Sequence, residues 1–296
     1  MIEVSVCVFA YNFGKYIEHC LQSILQQKTN FGYEIIVGDD LSTDDTRTIC
    51  LDYARKYPDI IRLSFNERNE GLIKNWNRTF NQAKGKYIAI IDGDDYFCSN
   101  EKLQKQFDAM EADAGAVLCF HNVKEIHKDA SLDTETKFEN RIYTCKDFMK
   151  GWFVRTSSIF FRNNILPDPM PDWVFDFPNR LDSIMPVMLN EKGHTIFINE
   201  TLSVWRKHNA GTSNLFKIDV LGNLQTILAL YSQLNIYTQK KYNGEVQQHI
   251  STLYTGIMLE LIKDKKVLAN FSLFLKSILM SDKIDLIKKV FNQLGK

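Results

Sequence analysis

The sequence carries no excess of charge: 36 Lys and Arg balance 36 Asp and Glu over 296 residues. A neutral chain has no global field to recruit nucleic acid or anionic lipid. Nucleic acid is therefore excluded as an expected partner, and any charged ligand must be held by a local cluster. Cysteines number six and stand singly, at Cys7, Cys20, Cys50, Cys98, Cys119 and Cys145, with no CxxC and no zinc-type spacing. That pattern argues against a metal knuckle or a disulfide framework and for reduced thiols in apolar runs. No stretch reaches the ~20 apolar residues that cross a bilayer. The nearest, "FSLFLKSILM", is interrupted by Lys276. The opening "MIEVSVCVFAYN" lacks the basic segment and long apolar core of a signal peptide and reads as a strand. The expected location is cytoplasmic, with peripheral membrane contact as a further candidate.

What is present is an ordinary globular composition, 45% hydrophobic and 24% charged, long enough for one large domain or two modest ones. The first hundred residues alternate strand and helix signals. "VSVCVFA" (4–10), "YEIIVGDD" (33–40), "IIRLSFNE" (60–67) and "KYIAIID" (86–92) read as strands. Between them, "KYIEHCLQSILQQ" (15–27), the segment after "STDDT" with Ser42 or Thr43 as N-cap, and "NWNRTFNQAKG" (75–85) read as helices. Such alternation predicts βαβ units and a mostly parallel α/β sheet flanked by helices. Later, "VLCFHNVKEIH" and "SSIFFR" read as strands, the Pro- and Asp-rich 166–180 as a loop, "RLDSIMPVMLNEKG" as a helix and 194–209 as two short strands. From about Leu215 the pattern becomes amphipathic helices with Lys in excess. We expect a first domain over 1–214 and a C-terminal helical extension over 215–296.

Ligands of parallel sheets bind outside the carboxyl ends of the strands, so the polar strand tips are the places to look. "IAIIDGDDYF" ends a strand on Asp92, Gly93, Asp94 and Asp95. An Asp-x-Asp pair presents two carboxylates on one side, since side chains two apart share a face. Hard oxygen ligands of this kind suit Mg²⁺ or Mn²⁺ bridged to substrate phosphates; a solvated acidic turn is the plainer alternative. Asp39 and Asp40 end another strand, where a carboxylate can accept from a pyrimidine N3–H or from ribose hydroxyls, or merely cap the next helix. Tyr11 offers a ring for base stacking, or a core-edge aromatic. In "NERNEGLIKNWNR", Asn69 and Gly71 suit a tight turn, and Lys74 or Arg78 would face phosphates; an exposed basic helix start is the alternative.

These elements stand together in order: strand-"YN", strand-"DDLSTDDT", "NEG" with an Asn-rich helix, and "GKYIAIIDGDD". The set resembles the family 2 inverting glycosyltransferases of GT-A fold found in bacterial polysaccharide synthesis, strongly over the first 100 residues and more weakly to about residue 214. The resemblance implies that Ala10, Tyr11, Asn12, Asp39, Asp40, Asn69, Gly71, Lys74, Asp92 and Gly93 surround a nucleotide. It further implies that Asp92 and Asp94 serve a divalent metal, that His208 ligates the metal or contacts the diphosphate, and that Arg206 binds phosphate; taken alone, His208 reads as a surface histidine. Asp95, Thr156 and Ser157 would lie on the acceptor side. "DFPNRLD" is similar to the segment holding the family's catalytic base, with Asp176 the first choice, Asp182 the second and Asp172 a remote third. Departures are visible: Phe9-Ala10 where Pro-Thr is common, Leu41 in place of a Gly, and Phe175 where an acidic residue is usual.

The implied reaction is a single displacement, moving a sugar from a nucleoside-diphosphate sugar, UDP- or dTDP-linked, to a glycan or lipid-linked acceptor. A sugar nucleotidyltransferase would need a Gly-rich basic loop after the first strand, and "AYNFGKY" has little Gly. An aspartate-based phosphatase would carry its Asp-x-Asp after the first strand rather than the fourth. A non-catalytic nucleotide-sugar-binding protein remains the other alternative. The C-terminal helices are expected to pack on the first domain or a second subunit, as in a homodimer, or to rest on a membrane surface.

Overall fold

Three of the apolar runs are buried along nearly their whole length, the pattern of strands covered on both faces. They form β1 (Ile2–Ala10), β2 (Gly32–Asp39) and β4 (Tyr87–Asp92) in a computed structural model that describes residues 1–127, 134–135, 138–208, 219–263, 266–268 and 270–280. β1 pairs in parallel with both β2 and β4, and β2 with β3 (Ile61–Phe65). The crossovers carry α1 (Ile17–Leu25), α2 (Thr46–Lys56) and α3 (Leu72–Phe80). Register then puts Ala10 beside Asp39, and Phe9 beside Asp92. All the polar tips singled out above stand on one edge.

Past β4 the sheet becomes mixed. Its order is β3-β2-β1-β4-β8-β6-β9-β5 with β7 on β6, using β5 (Tyr96–Phe97), β6 (Ala116–His127), β7 (Thr134–Glu135), β8 (Phe160–Arg162) and β9 (His194–Lys207). The two short strands expected over 194–209 are one strand of 14 residues. Its register against β6 shifts on either side of Asn122, and this irregularity explains the polar interruption at Asn199-Glu200. Helices α4 (Lys102–Ala112) and α6 (Leu181–Asn190) complete this part, α6 accommodating Pro186 in its interior, and the short α5 (Cys145–Phe148) runs into the 146–152 segment.

Several helix boundaries differ from expectation: α1 is Ile17–Leu25 rather than 15–27, and α3 begins at Leu72 rather than at 75. α2 starts at Thr46, because Ser42 turns its hydroxyl to Asp39 and Asp44 Oδ1 accepts from the Thr46 N–H at 3.0 Å. α3 ends at Phe80 rather than Gly85. Gly85 is instead a close-packing position, where a Cβ would stand 2.5 Å from the Ser5 nitrogen. All six cysteines are free, and all but Cys98 are buried.

The chain divides into two units, residues 1–145 with 153–208, and 146–152 with 209–296. The boundary expected between 214 and 215 lies outside the described residues. Within the second unit, α7 (Val220–Tyr237), α8 (Asn243–Lys263) and α9 (Phe271–Met280) surround Leu230, Tyr231, Leu234, Ile257 and Leu261. The 146–152 segment joins them through Phe148, whose carbonyl accepts from the Tyr231 hydroxyl at 3.2 Å. Among the described residues no helix is long and apolar enough to cross a membrane.

Candidate active site

At the tip of β2, both carboxylates are buried and both are occupied. Asp40 Oδ1 accepts from Asn66 Nδ2 at 2.6 Å and the Glu70 N–H at 2.9 Å, and Oδ2 accepts from the Gly71 N–H at 2.8 Å. Asp40 thereby latches the 66–71 loop, and Gly71 supplies the positive φ of 87° that ends it. Asp39 accepts from Ser42 and from Arg47 Nε at 3.0 Å, and Arg47 also donates to the Asn66 carbonyl. Ala10 accepts from the Asp40 N–H at 3.0 Å. Asn12, at φ 58°, accepts from the Thr43 N–H at 2.8 Å. Tyr11, Asn69 and Lys74 are exposed around this frame. Arg78 donates to the Ser64 carbonyl at 2.7 Å and to Asn75 at 2.8 Å, within the field of Glu70, Asp40 and Asp39.

The tip of β4 is different. Gly93 is wedged where a Cβ would meet Ile17 at 2.8 Å, and its N–H donates to the Phe9 carbonyl at 2.7 Å. The turn is thus pinned onto β1, and Asp92, Asp94 and Asp95 crowd beside it. Burial, then the Asp94 and Asp182 carboxylates, push Asp92 well above the usual carboxylate range, against the Thr156 hydroxyl bonded to it. Burial, Asp94 and Asp92 do the same to Asp95, although the Arg206 N–H donates to it at 2.9 Å. His208 Nε2 lies 2.9 Å from Asp94 Oδ2, with the Tyr16 ring 4.5 Å from its own.

The two base candidates separate. Asp176 ends a 3₁₀ turn (Asp172–Asp176) and is exposed, as is Asp172. Asp182 opens α6 close enough to Asp92 to raise its pKa. Burial pushes Asp182 itself up to about 6, against the pull of Arg180, the Ser183 hydrogen bonds and Arg155. Thr156 reaches the cluster through Asp92, whereas Ser157 turns inward to Ser203 Oγ at 3.0 Å. The structure therefore gathers Asp92, Asp94, Asp95, Thr156, Asp182 and His208, and leaves Asp176 and Ser157 outside.

Sequence reading missed Arg155, which pairs with Glu125 at 3.7 Å and also feels the Asp182 and Asp95 charges, and Tyr16 and His19, at the N-cap and in the first turn of α1, which flank the site. Arg155 directly precedes the Thr-Ser pair already singled out, and that adjacency was the available signal. Among the described residues no three His, Cys, Asp or Glu groups converge on a metal position. The donor set nonetheless fits a hard divalent cation: Asp92 and Asp95 are carboxylates destabilised by their neighbours, and such cations use one or two carboxylates plus substrate phosphates.

Comparison with known proteins bears on this arrangement. Residues 5–166 match the family described as Glycosyl transferase family 2. A putative teichuronic acid biosynthesis glycosyltransferase of Bacillus subtilis, TuaG, is 30% identical over 226 residues, covering 72% of this chain and 83% of its own. An uncharacterised protein of Mycobacterium tuberculosis is 30% identical over 210 residues, 70% of this chain, which spans 60% of that relative's length. Among solved structures, Staphylococcus aureus TarS 1–349 in complex with UDP-GlcNAc aligns with a TM-score of 0.70 at 16% identity, over 93% of this chain and 79% of that one. The mannosyltransferase PcManGT of Pyrobaculum calidifontis, in complex with GDP-Man and Mn²⁺, aligns at 0.60 and 17% identity, over 90% and 74%. The likeness to solved structures bears out the expected glycosyltransferase-type α/β fold, and by the matched segment and the 30% relatives the chain belongs to glycosyl transferase family 2.

Proposed function

We propose that the protein transfers a sugar, with inversion, from a UDP- or dTDP-linked donor to a glycan or lipid-linked acceptor in polysaccharide synthesis. The observation that carries this reading is the gathering of Asp92, Asp94, Asp95 and Asp182 at one strand tip, too charged to be comfortable without a cationic ligand. The TarS and PcManGT complexes, with nucleotide sugars and in one case Mn²⁺, support it.

Asp92 and Asp94 would hold Mg²⁺ or Mn²⁺, with His208 orienting Asp94 through their 2.9 Å contact. When bound, the ion stabilises charge on the departing diphosphate. Asp182 is the general base: half-buried and raised to about 6, it is a carboxylate at neutral pH, yet basic enough to take the acceptor hydroxyl's proton. Arg155 lies beside it to stabilise the charged form. Direct attack by that hydroxyl on the anomeric carbon inverts its configuration. Asp40, by latching the 66–71 loop, shapes the base pocket in which Tyr11 would stack.

Thermal-shift screening of nucleotide sugars with and without Mn²⁺ tests the reading, because a ligand that binds the native state raises its stability. A metal-dependent shift with one donor, followed by inverting transfer, is the expected result. No shift with any nucleoside-diphosphate sugar would overturn it.

For the membrane, the support is compositional. Residues 263–296 carry eight Lys against three Asp, and α9 exposes Leu275, Ile278 and Leu279, a combination suited to anionic headgroups. Flotation on phosphatidylglycerol vesicles, lost in Leu275→Glu/Leu279→Glu, is the expected outcome. Equal flotation of both proteins would remove this part.

A further inference from the structure

Arg206 grips the acidic turn from two directions. Its main-chain N–H donates to Asp95 Oδ1 at 2.9 Å, and its Nη1 donates to the Asp94 carbonyl at 2.7 Å. The guanidinium lies 4.3 Å from the Tyr96 ring centroid and 5.6 Å from that of Tyr16. Its Nη2 meets His19 Nδ1, and His19 in turn stacks on Tyr96 at 4.3 Å. Tyr96 belongs to β5, which pairs with β9 at Val204. The side chain therefore ties α1, the acidic turn and two strands into one assembly.

An arginine that binds a diphosphate presents its planar fork to the ligand. Here the fork is engaged by the chain's own carbonyl and imidazole, and aromatic rings hold its plane. It also brings a positive charge against Asp94 and Asp95 from behind, without consuming a carboxylate oxygen of Asp94. Asp94 Oδ2 is left to His208. We propose that Arg206 is a positioning residue: it clasps the Asp94–Asp95 turn so that the Asp94 carboxylate is held ready for its ligand, and it does not act by binding the donor's phosphates. The metal consequence rests on the function proposed above; the clasp itself does not.

Lysine cannot replace it. A lysine ammonium is a point charge with no planar fork to span the Asp94 carbonyl and His19 while stacked on Tyr96. Arg206→Lys and Arg206→Met should therefore behave alike in holding the turn.

Hydrogen exchange on the ligand-free full chain reads the clasp directly. In both variants, amides of residues 93–97 should exchange at least tenfold faster, with exchange in α8 unchanged. Unaltered exchange at 93–97 would overturn the clasp. Two titrations then separate positioning from phosphate binding. UDP binding in EDTA should stay within twofold of wild type, whereas Mn²⁺ affinity, followed by the electron paramagnetic resonance of the free ion, should fall at least tenfold. A loss of UDP affinity in EDTA with Mn²⁺ affinity intact would make Arg206 a phosphate ligand and overturn the proposal. A wild type that binds neither Mn²⁺ nor UDP would count against the proposed function, and the exchange experiment would still decide the clasp.

Discussion

At the tip of β2, Asp39 and Asp40 accept hydrogen bonds from Ser42, Arg47, Asn66, Glu70 and Gly71. At the tip of β4, two strands away across β1, Asp92, Asp94, Asp95 and Asp182 share Thr156, His208, Arg206 and Ser183 among four carboxylates, about one polar partner each, and face one another's charge. Both groups are acidic, both gather at the end of a parallel strand, and both are at least half-buried. The first group is a finished structural device, since a buried carboxylate with three N–H donors costs little and holds a loop. The second is unfinished: at Asp92 and Asp95, burial and like charge oppose ionisation together. Local satisfaction, more than acidity or position, marks which tip awaits a ligand.

That distinction was only half legible in the sequence. The strand tips, their order and the "DGDD" cluster could be read from alternation of apolar and polar residues, because parallel strands register their ends together. Partner assignments could not be read. Asp40 and Gly71 are 31 residues apart, and nothing in the local pattern says that one latches the other. Asp176 and Asp182 lie six residues apart and look equivalent as letters; the 3₁₀ turn ending at Asp176 exposes one, and α6 carries the other inward. Arg206, expected as a phosphate ligand, also meets Tyr16, Tyr96 and His19, contacts made across 110 residues or more.

The largest effect should come from the unfinished tip. Asp94→Ala removes a proposed metal ligand, and metal stabilisation worth several kcal/mol makes a loss of about 10³-fold or more in transfer the expectation. Its melting temperature without metal should not fall. Wild-type turnover in this variant would show that the crowding serves some other ligand.

Next in size is the base. Asp182→Asn should lower kcat by about 10²-fold or more with donor affinity unchanged, while Asp176→Asn should leave kcat near wild type. Because Asp182 must be ionised to act and titrates at about 6, kcat should fall as pH drops through that value. A profile flat from pH 5 to 8, or the opposite ranking of the two variants, would move the base elsewhere.

Stability should then separate the two tips by sign. Asp40→Ala strips the acceptor from three donors and should destabilise by about 2–4 kcal/mol in chemical denaturation. Asp95→Asn keeps an oxygen for the Arg206 N–H while removing a repelled charge, and should stabilise the metal-free protein by about 1–2 kcal/mol. The raised values of Asp92 and Asp95 mean that the native state keeps protons the unfolded chain releases. Metal-free stability should accordingly fall as pH rises from about 4, the unfolded carboxylate value, through the raised native ones. Mn²⁺ should stabilise more at pH 8 than at pH 5. Matching signs for Asp40→Ala and Asp95→Asn would erase the contrast.

The smallest effect concerns a strained joint in the finished tip. Leu41, immediately after the Asp pair, adopts φ 63°, a left-handed conformation that costs a residue with a Cβ about 1–2 kcal/mol. The family resemblance has a Gly there, and the backbone shape that Gly allows has been kept while the residue has not. Replacing Leu41 by Ala and by Gly removes the side chain in both cases, so their difference reports the backbone alone. At an ordinary helix or strand position, Gly is the less stable of such a pair by about 0.5–1 kcal/mol. Here Leu41→Gly should be the more stable by about 0.5–1 kcal/mol, since relief of the left-handed strain exceeds the entropy Gly adds to the unfolded chain. The ordinary ranking, Ala above Gly, would mean that the hydrogen bonds of Asp39 and Asp40 do not hold this turn in the left-handed form in solution, and the finished tip would be looser than its contacts imply.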